Sequence, residues 1–227
     1  MTDTVPNVFL AIQTRNLKAL REALLERDSL ERKNEEGQTP LLIAALAGFG
    51  EIVSEILSHR PDLESRDEDD LTPLMGASAL GRTEIVSQLL RAGALPDGIG
   101  RFPKETALMR AAIAPTPDCL KLLVTAGADV NGKNDAGATA LMTAVHWNNV
   151  ESVKFLIQAG ASVDLQDAGG RTALSHAVAE SRETVCVALL RAGANRDIED
   201  NSGISPRKLA SSSKSVTMHE YFRKNEP

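Results

Sequence analysis

With 227 residues, of which 42% are hydrophobic and 25% charged, the chain has the make-up of a globular protein rather than a disordered or membrane-embedded one. Its net charge of −6 and pI near 5.3 argue against a nucleic-acid partner, because phosphate-backbone binders carry a basic stripe. The longest apolar run, PLLIAALAGFG, is too short to span a bilayer, and the N-terminus MTDTVPNVFLAI lacks the basic start and long apolar segment of a secretory signal. A cytoplasmic protein with no membrane contact is therefore expected, or a periplasmic or exported one if a leader has been removed.

In chain order, one element recurs. Thr39 (GQTPL), Thr72 (LTPLM), Thr106 (KETAL), Thr139 (GATAL) and Thr172 (GRTAL) are spaced 33, 34, 33 and 33 residues apart, and the register extends back to Pro6 and on to Ser205. Five residues after these seven anchors stand Ala11, Ala44, Ala77, Ala111, Ala144, Ala177 and Ala210. Eighteen residues after the first six come Leu24, Leu57, Leu90, Val124, Ile157 and Leu190, each preceded by another apolar residue. Apolar positions about two, five and six after an anchor, and again thirteen, fourteen, seventeen and eighteen after it, predict two short helices per unit. The Thr or Ser anchor is a natural N-cap, and the proline of TPLL, TPLM and SPRK suits the first helical position. Gly48 and Gly81 are placed to end first helices, and Gly93, Gly127, Gly160 and Gly193 to end second helices in the left-handed conformation. The small alanine lets helices approach closely. No such unit can bury its apolar face alone, so neighbours must stack.

These residues resemble ankyrin repeats, most clearly in NEEGQTPLLIAALAGFGEIVSEIL, DDLTPLMGASALGRTEIVSQLLRAGA, NDAGATALMTAVHWNNVESVKFLIQAGASVD and DAGGRTALSHAVAESRETVCVALLRAGA. The resemblance implies an all-α solenoid of stacked helix-turn-helix units with β-turn fingers and a concave groove. Five full repeats are expected at 34–66, 67–100, 101–133, 134–166 and 167–199, between an N-terminal capping repeat at 1–33 and a C-terminal capping repeat and tail at 200–227. It also implies a binding role without catalysis.

No residue set competes with that reading. Cys119 and Cys186 fall on core positions of second helices two repeats apart, roughly 20 Å at 8–10 Å per helix layer, beyond disulfide reach. Free thiols fit a reducing compartment. His59, His146, His176 and His219 show no metal-ligand spacing, so no metal is expected. The GIG of Gly98–Gly100 lacks a third glycine and a preceding strand, which removes it as a phosphate loop. The acidic run Asp67–Asp70 lacks the glycine of a calcium loop and reads as a solvated turn tip. No nucleophile stands near a recognisable base, so no catalytic residue and no cofactor are expected.

In this family the contact positions lie four, three and one before the anchor on the fingers, and seven and eight after it in the groove. Carried onto this chain, the resemblance puts Leu71, Phe102, Pro103, Asp135 and Arg171 on fingers, and Leu46, Leu80, Ile113, Ala114, His146, Trp147 and Glu180 in the groove. The third finger, GIGRFPKET, is irregular. It carries one extra residue, has Lys104 where glycine precedes other anchors by two, and presents Arg101 and Phe102 where they would project; Pro115 and Pro117 then shorten the helix that follows. The first two full fingers are acidic, which would steer a partner with a basic patch. About 800 Å² per partner would occupy four or five such repeats. The expected function is a non-catalytic scaffold, monomeric on its own, that binds another protein through groove and fingers centred on repeats three to five. The alternative is a stoichiometric inhibitor or immunity protein whose Phe102 finger occludes the active site of a partner enzyme.

Overall fold

A computed structural model describes residues 7–26, 28–98, 104–212 and 221–222. Helices come in pairs: α1 (Val8–Gln13) and α2 (Leu17–Leu24), α3 (Pro40–Ala47) and α4 (Gly50–Ser58), α5 (Pro73–Ala79) and α6 (Thr83–Ala92), α7 (Ala107–Ala111) and α8 (Asp118–Thr125), α9 (Ala140–His146) and α10 (Val150–Gln158), α11 (Ala173–Ala179) and α12 (Glu183–Arg191), with α13 (Pro206–Ser212) beyond them. Odd-numbered helices stack against one another as an inner layer, and α2 to α12 stack as an outer layer. Among the described residues there is no sheet, and one isolated bridge pairs Gln166 with Thr172.

The anchors cap the inner helices. The hydroxyls of Thr39, Thr72, Thr106, Thr139 and Thr172 accept from the backbone N–H three residues on, at 3.2–3.4 Å. Cap substitutions of this kind cost about 1 kcal/mol, so each unit has its start defined locally. The alanine five residues later is sealed in every unit, with exposures of 0–2% from Ala11 to Ala210. Any larger side chain there would push an inner helix off both its neighbours.

Polar bonds fix the register between units. The side chain of Glu31, Glu64, Asp97, Asn131 or Asp164 accepts from the backbone N–H of Asp62, Leu95, Asp129, Ser162 or Asn195 respectively, at 2.8–3.0 Å across 31 or 32 residues. A second tie runs backwards from the start of an outer helix. Arg82 donates to the Leu46 carbonyl, Asn149 to those of Ala112 and Ala114, and Arg182 to that of His146. Each satisfies an orphan carbonyl at the end of the preceding inner helix.

Fingers are tight turns closed by an Asx side chain. Asn34, Asn134, Asp167 and Asp200 each accept two backbone N–H groups of their own turn, and Asp67 accepts from Leu71. Adjacent fingers also bond through backbone, from Glu68 N–H to Glu36, Ala168 N–H to Ala136 and Asn201 N–H to Gly169. Glycine two before the anchor serves both features. At Gly170, φ is +77° and an added Cβ would lie 2.8 Å from the Asn201 nitrogen; at Gly137 it would lie 2.7 Å from that of Ala168. Asp70 (φ 63°) and Lys104 (φ 55°) hold the same left-handed backbone with a Cβ attached.

Helix ends show the same division. Gly93, Gly127, Gly160 and Gly193 follow outer helices at φ 87–101°, and Gly48 and Gly81 follow inner helices at 80° and 64°. The equivalent inner-helix sites Arg15, Asn148 and Ser181 are left-handed at 53–56° without being glycine. In the third repeat Pro115 stands there, and α7 is reduced to five residues.

Asn148→Gly and Ser181→Gly are each expected to raise the unfolding free energy by up to about 1 kcal/mol in urea denaturation, since both relieve a left-handed side chain. A loss at both positions would remove the strain argument. Gly170→Ala is expected to cost at least about 1 kcal/mol more than Gly193→Ala. Both glycines have positive φ, but only at Gly170 would the new Cβ meet the next finger, the Gly193 site being open for 4 Å around. Equal costs would mean that the fingers can part freely.

Candidate functional site

The inner-helix face carries an apolar stripe. Leu80 at the end of α5 is 50% exposed and Trp147 at the end of α9 is 56% exposed, while Leu46 and Ile113 are half-buried beside them on α3 and just beyond α7. The four helices are successive neighbours in the inner layer, so these side chains form one line across the stack. Leu46 also fills space beside Gly76, where an added Cβ would come within 2.8 Å of its Cδ2. Burying a large exposed side chain of this kind is worth about 1.5–3 kcal/mol, which is the driving force the stripe offers to a partner.

Trp147 is held from one side. Its ring meets that of His146 edge-on, at 6.0 Å between centroids and 87° between planes. His146 Nδ1 lies 3.0 Å from Glu180 Oε1, and Arg182 reaches both Glu180 and the His146 carbonyl. Burial pushes the Glu180 carboxyl up, but the hydrogen bonds from His146 and Arg182 more than offset this and leave it below the usual carboxylate range. The three expected residues His146, Trp147 and Glu180 thus form one cluster, ordered before any partner arrives. Arg182, which completes it, lies ten residues past its anchor, where Arg82 makes the same backward bond; an arginine recurring at that offset was the available signal.

The finger residues are arranged differently. Lys104 Nζ bonds Asp135 Oδ1 at 3.0 Å, and Arg171 lies 3.6 Å from Asp200, so Lys104, Asp135 and Arg171 are exposed members of cross-finger ion pairs. Such pairs are worth about 0–1 kcal/mol. Arg101, Phe102 and Pro103 lie outside the described residues. Leu46 and Ile113, expected to be exposed, are half-buried, and two further expectations of exposure need correction. Leu71 is half-buried and packs against the core, because the residue just before the N-cap turns under the inner helix, as Ala138 does. Ala114, expected in the groove, is 1% exposed, since the short α7 lets the chain fold under and Asn149 binds its carbonyl. Conversely, Leu10 on α1 is 57% exposed at the N-terminal end of the same face, at the offset that Ile43 occupies on α3.

Elsewhere the chemistry is quiet. Cys119 and Cys186 are both free and buried; burial pushes the Cys186 thiol up to about 12 and raises that of Cys119, so neither forms a reactive thiolate at neutral pH. Among the described residues no three His, Cys, Asp or Glu side chains are grouped to hold a metal ion. A hollow of about 220 Å³ beside Arg15, Phe49 and Ile52, where the Arg15 guanidinium lies 4.0 Å over the Phe49 ring, is smaller than the usual small-molecule pocket and lies away from Trp147. No helix among the described residues is long and apolar enough to cross a membrane.

Comparison with protein-family models matches the description "Ankyrin repeats (3 copies)" over residues 8–99 and 97–167, and "Ankyrin repeat" over residues 169–201. A search of curated proteins finds no match. Ankyrin repeats are generally protein–protein interaction modules. Stacked helix pairs in a period of 33, capped at each threonine and tied finger to finger, agree with those matches over most of the length, and the chain belongs to the ankyrin repeat family.

Proposed function

We propose that this protein is a non-catalytic scaffold that binds another protein across the inner-helix groove and the fingers, centred on repeats three to five. The observation that carries this reading is the placement of the sole tryptophan. A residue that would gain most from burial stands 56% exposed, oriented by His146, in line with Leu80, Ile113 and Leu46. Tryptophans in such positions are favoured binding anchors, and contiguous apolar surface is uncommon on a protein that works alone. Ion pairing of Lys104 with Asp135, Arg171 with Asp200 and Arg182 with Glu180 supplies a polar rim of preset geometry around the stripe. Two buried free thiols suit a cytoplasmic setting.

The test uses wild type, Trp147→Ala and Leu80→Glu as baits in an extract of the native cell, with Lys154→Glu on the outer helix α10 as control. A specific partner should be held by wild type and the control and lost by both groove variants. With that partner purified, Trp147→Ala should weaken binding by about 2 kcal/mol or more. Unfolding free energy should change by no more than about 0.5 kcal/mol, because the side chain is exposed. Undiminished binding by both groove variants would overturn the proposal, and a collapse in melting temperature would reassign Trp147 to the core.

A further inference from the structure

Resting on that reading of the groove, we infer that its partner presents an apolar segment flanked by lysine or arginine, and that the cationic flank lies over the first two full fingers. The argument is charge complementarity, drawn from an asymmetry along the stack. Among the described residues of repeats three to five, charged side chains of fingers and groove pair with opposite charge, Lys104 with Asp135, Arg110 with Glu105, Arg182 with Glu180 and Arg171 with Asp200, while the His146 and His176 rings bond Glu180 and Asp167 and Lys133 donates to the Gln166 carbonyl. Fingers one and two differ. Glu35, Glu36, Glu68 and Asp69 are all exposed, and among the described residues none of them has a salt-bridge partner.

Among the described residues no lysine or arginine forms an ion pair with these four carboxylates. Lys33 donates to the Arg66 carbonyl at 2.7 Å, and Arg66 is turned back toward Asp70 of its own finger. The Glu68 N–H bond to the Glu36 carbonyl joins the two tips, so the four carboxylates form one edge. That edge belongs to the units that supply Leu46 and Leu80, so a single segment can cover stripe and edge together. Like charges held close together repel, and a cationic partner relieves that repulsion while it steers in. An anionic or neutral segment would leave the edge uncompensated.

Trp147, as the only tryptophan, reports on the groove directly. The probes are a labelled amphipathic peptide of leucine and lysine, and its counterpart with every lysine replaced by glutamate. The lysine peptide is expected to shift Trp147 emission and to bind at least about tenfold tighter than the glutamate peptide at low salt. That preference should vanish near 0.5 M salt. It should also be lost in the combined variant Glu35→Gln, Glu36→Gln, Glu68→Gln and Asp69→Asn, and kept in a variant neutralising Glu26, Asp28, Glu51 and Glu84 away from the fingers. Equal loss in both variants would overturn the inference by showing only the general attraction of an acidic chain. Equal binding of both peptides, with the Trp147 shift intact, would overturn the inference and leave the groove reading standing. Failure of both peptides to shift Trp147 emission would overturn the groove reading as well.

Discussion

The structure depends on one constraint: a helix pair of this length cannot bury its own apolar face. Ala44, Ala77, Ala111, Ala144 and Ala177 are wholly buried because each inner helix is covered from both sides by the next pair along. Stability is then a sum of nearest-neighbour interfaces. The residue at the closest approach must be small, and only alanine combines small size with good helix propensity. The polar ties from Glu31, Glu64, Asp97, Asn131 and Asp164 to the following unit act on the same interfaces. They fix the register that apolar contact alone would leave loose.

This economy determines where function can reside. Because the core consumes the same offsets in every unit, the remaining offsets repeat on the surface as parallel rows, and a substitution in a row costs little stability. Leu80 and Trp147 share one such row with Ala47 and Glu180. The chain spends large apolar groups there only in the second and fourth repeats, with Ile113 bridging between them at the adjacent offset. Along the described fingers, the ion pairs of Lys104 and Arg171 in one half of the stack and the exposed Glu35, Glu36, Glu68 and Asp69 in the other give the surface a polarity that the core lacks.

How much of this was legible in the sequence follows from which forces are local. Caps, glycine turns and buried alanines depend on residues a few positions apart or on one repeated interface, so the period revealed them; Thr39 to Thr172 all cap as their spacing suggests. Exposure at the seams depends on the path of the backbone just outside a helix, which offsets do not capture. Leu71 turned under and Ala114 was covered for that reason. The pairing of Lys104 with Asp135 and the bond from Arg182 to the His146 carbonyl were equally hidden, because these contacts cross units and depend on rotamers.

The third repeat shows how an irregular copy is tolerated. At Gly137 and Gly170 the glycine before the anchor lets the next finger approach so closely that a Cβ would overlap its backbone. Lys104 carries a Cβ in the same left-handed conformation, at φ 55°. Its ammonium crosses to Asp135 of the fourth finger, adding an ion pair at 3.0 Å. The first helix of the same repeat is shortened by Pro115, yet Asn149 from the following unit reaches its last carbonyls and closes that end. Because each unit answers only to its two neighbours, both departures are absorbed within one interface. The stripe from Leu46 to Trp147 therefore runs across the irregular repeat without a break in the stack beneath it.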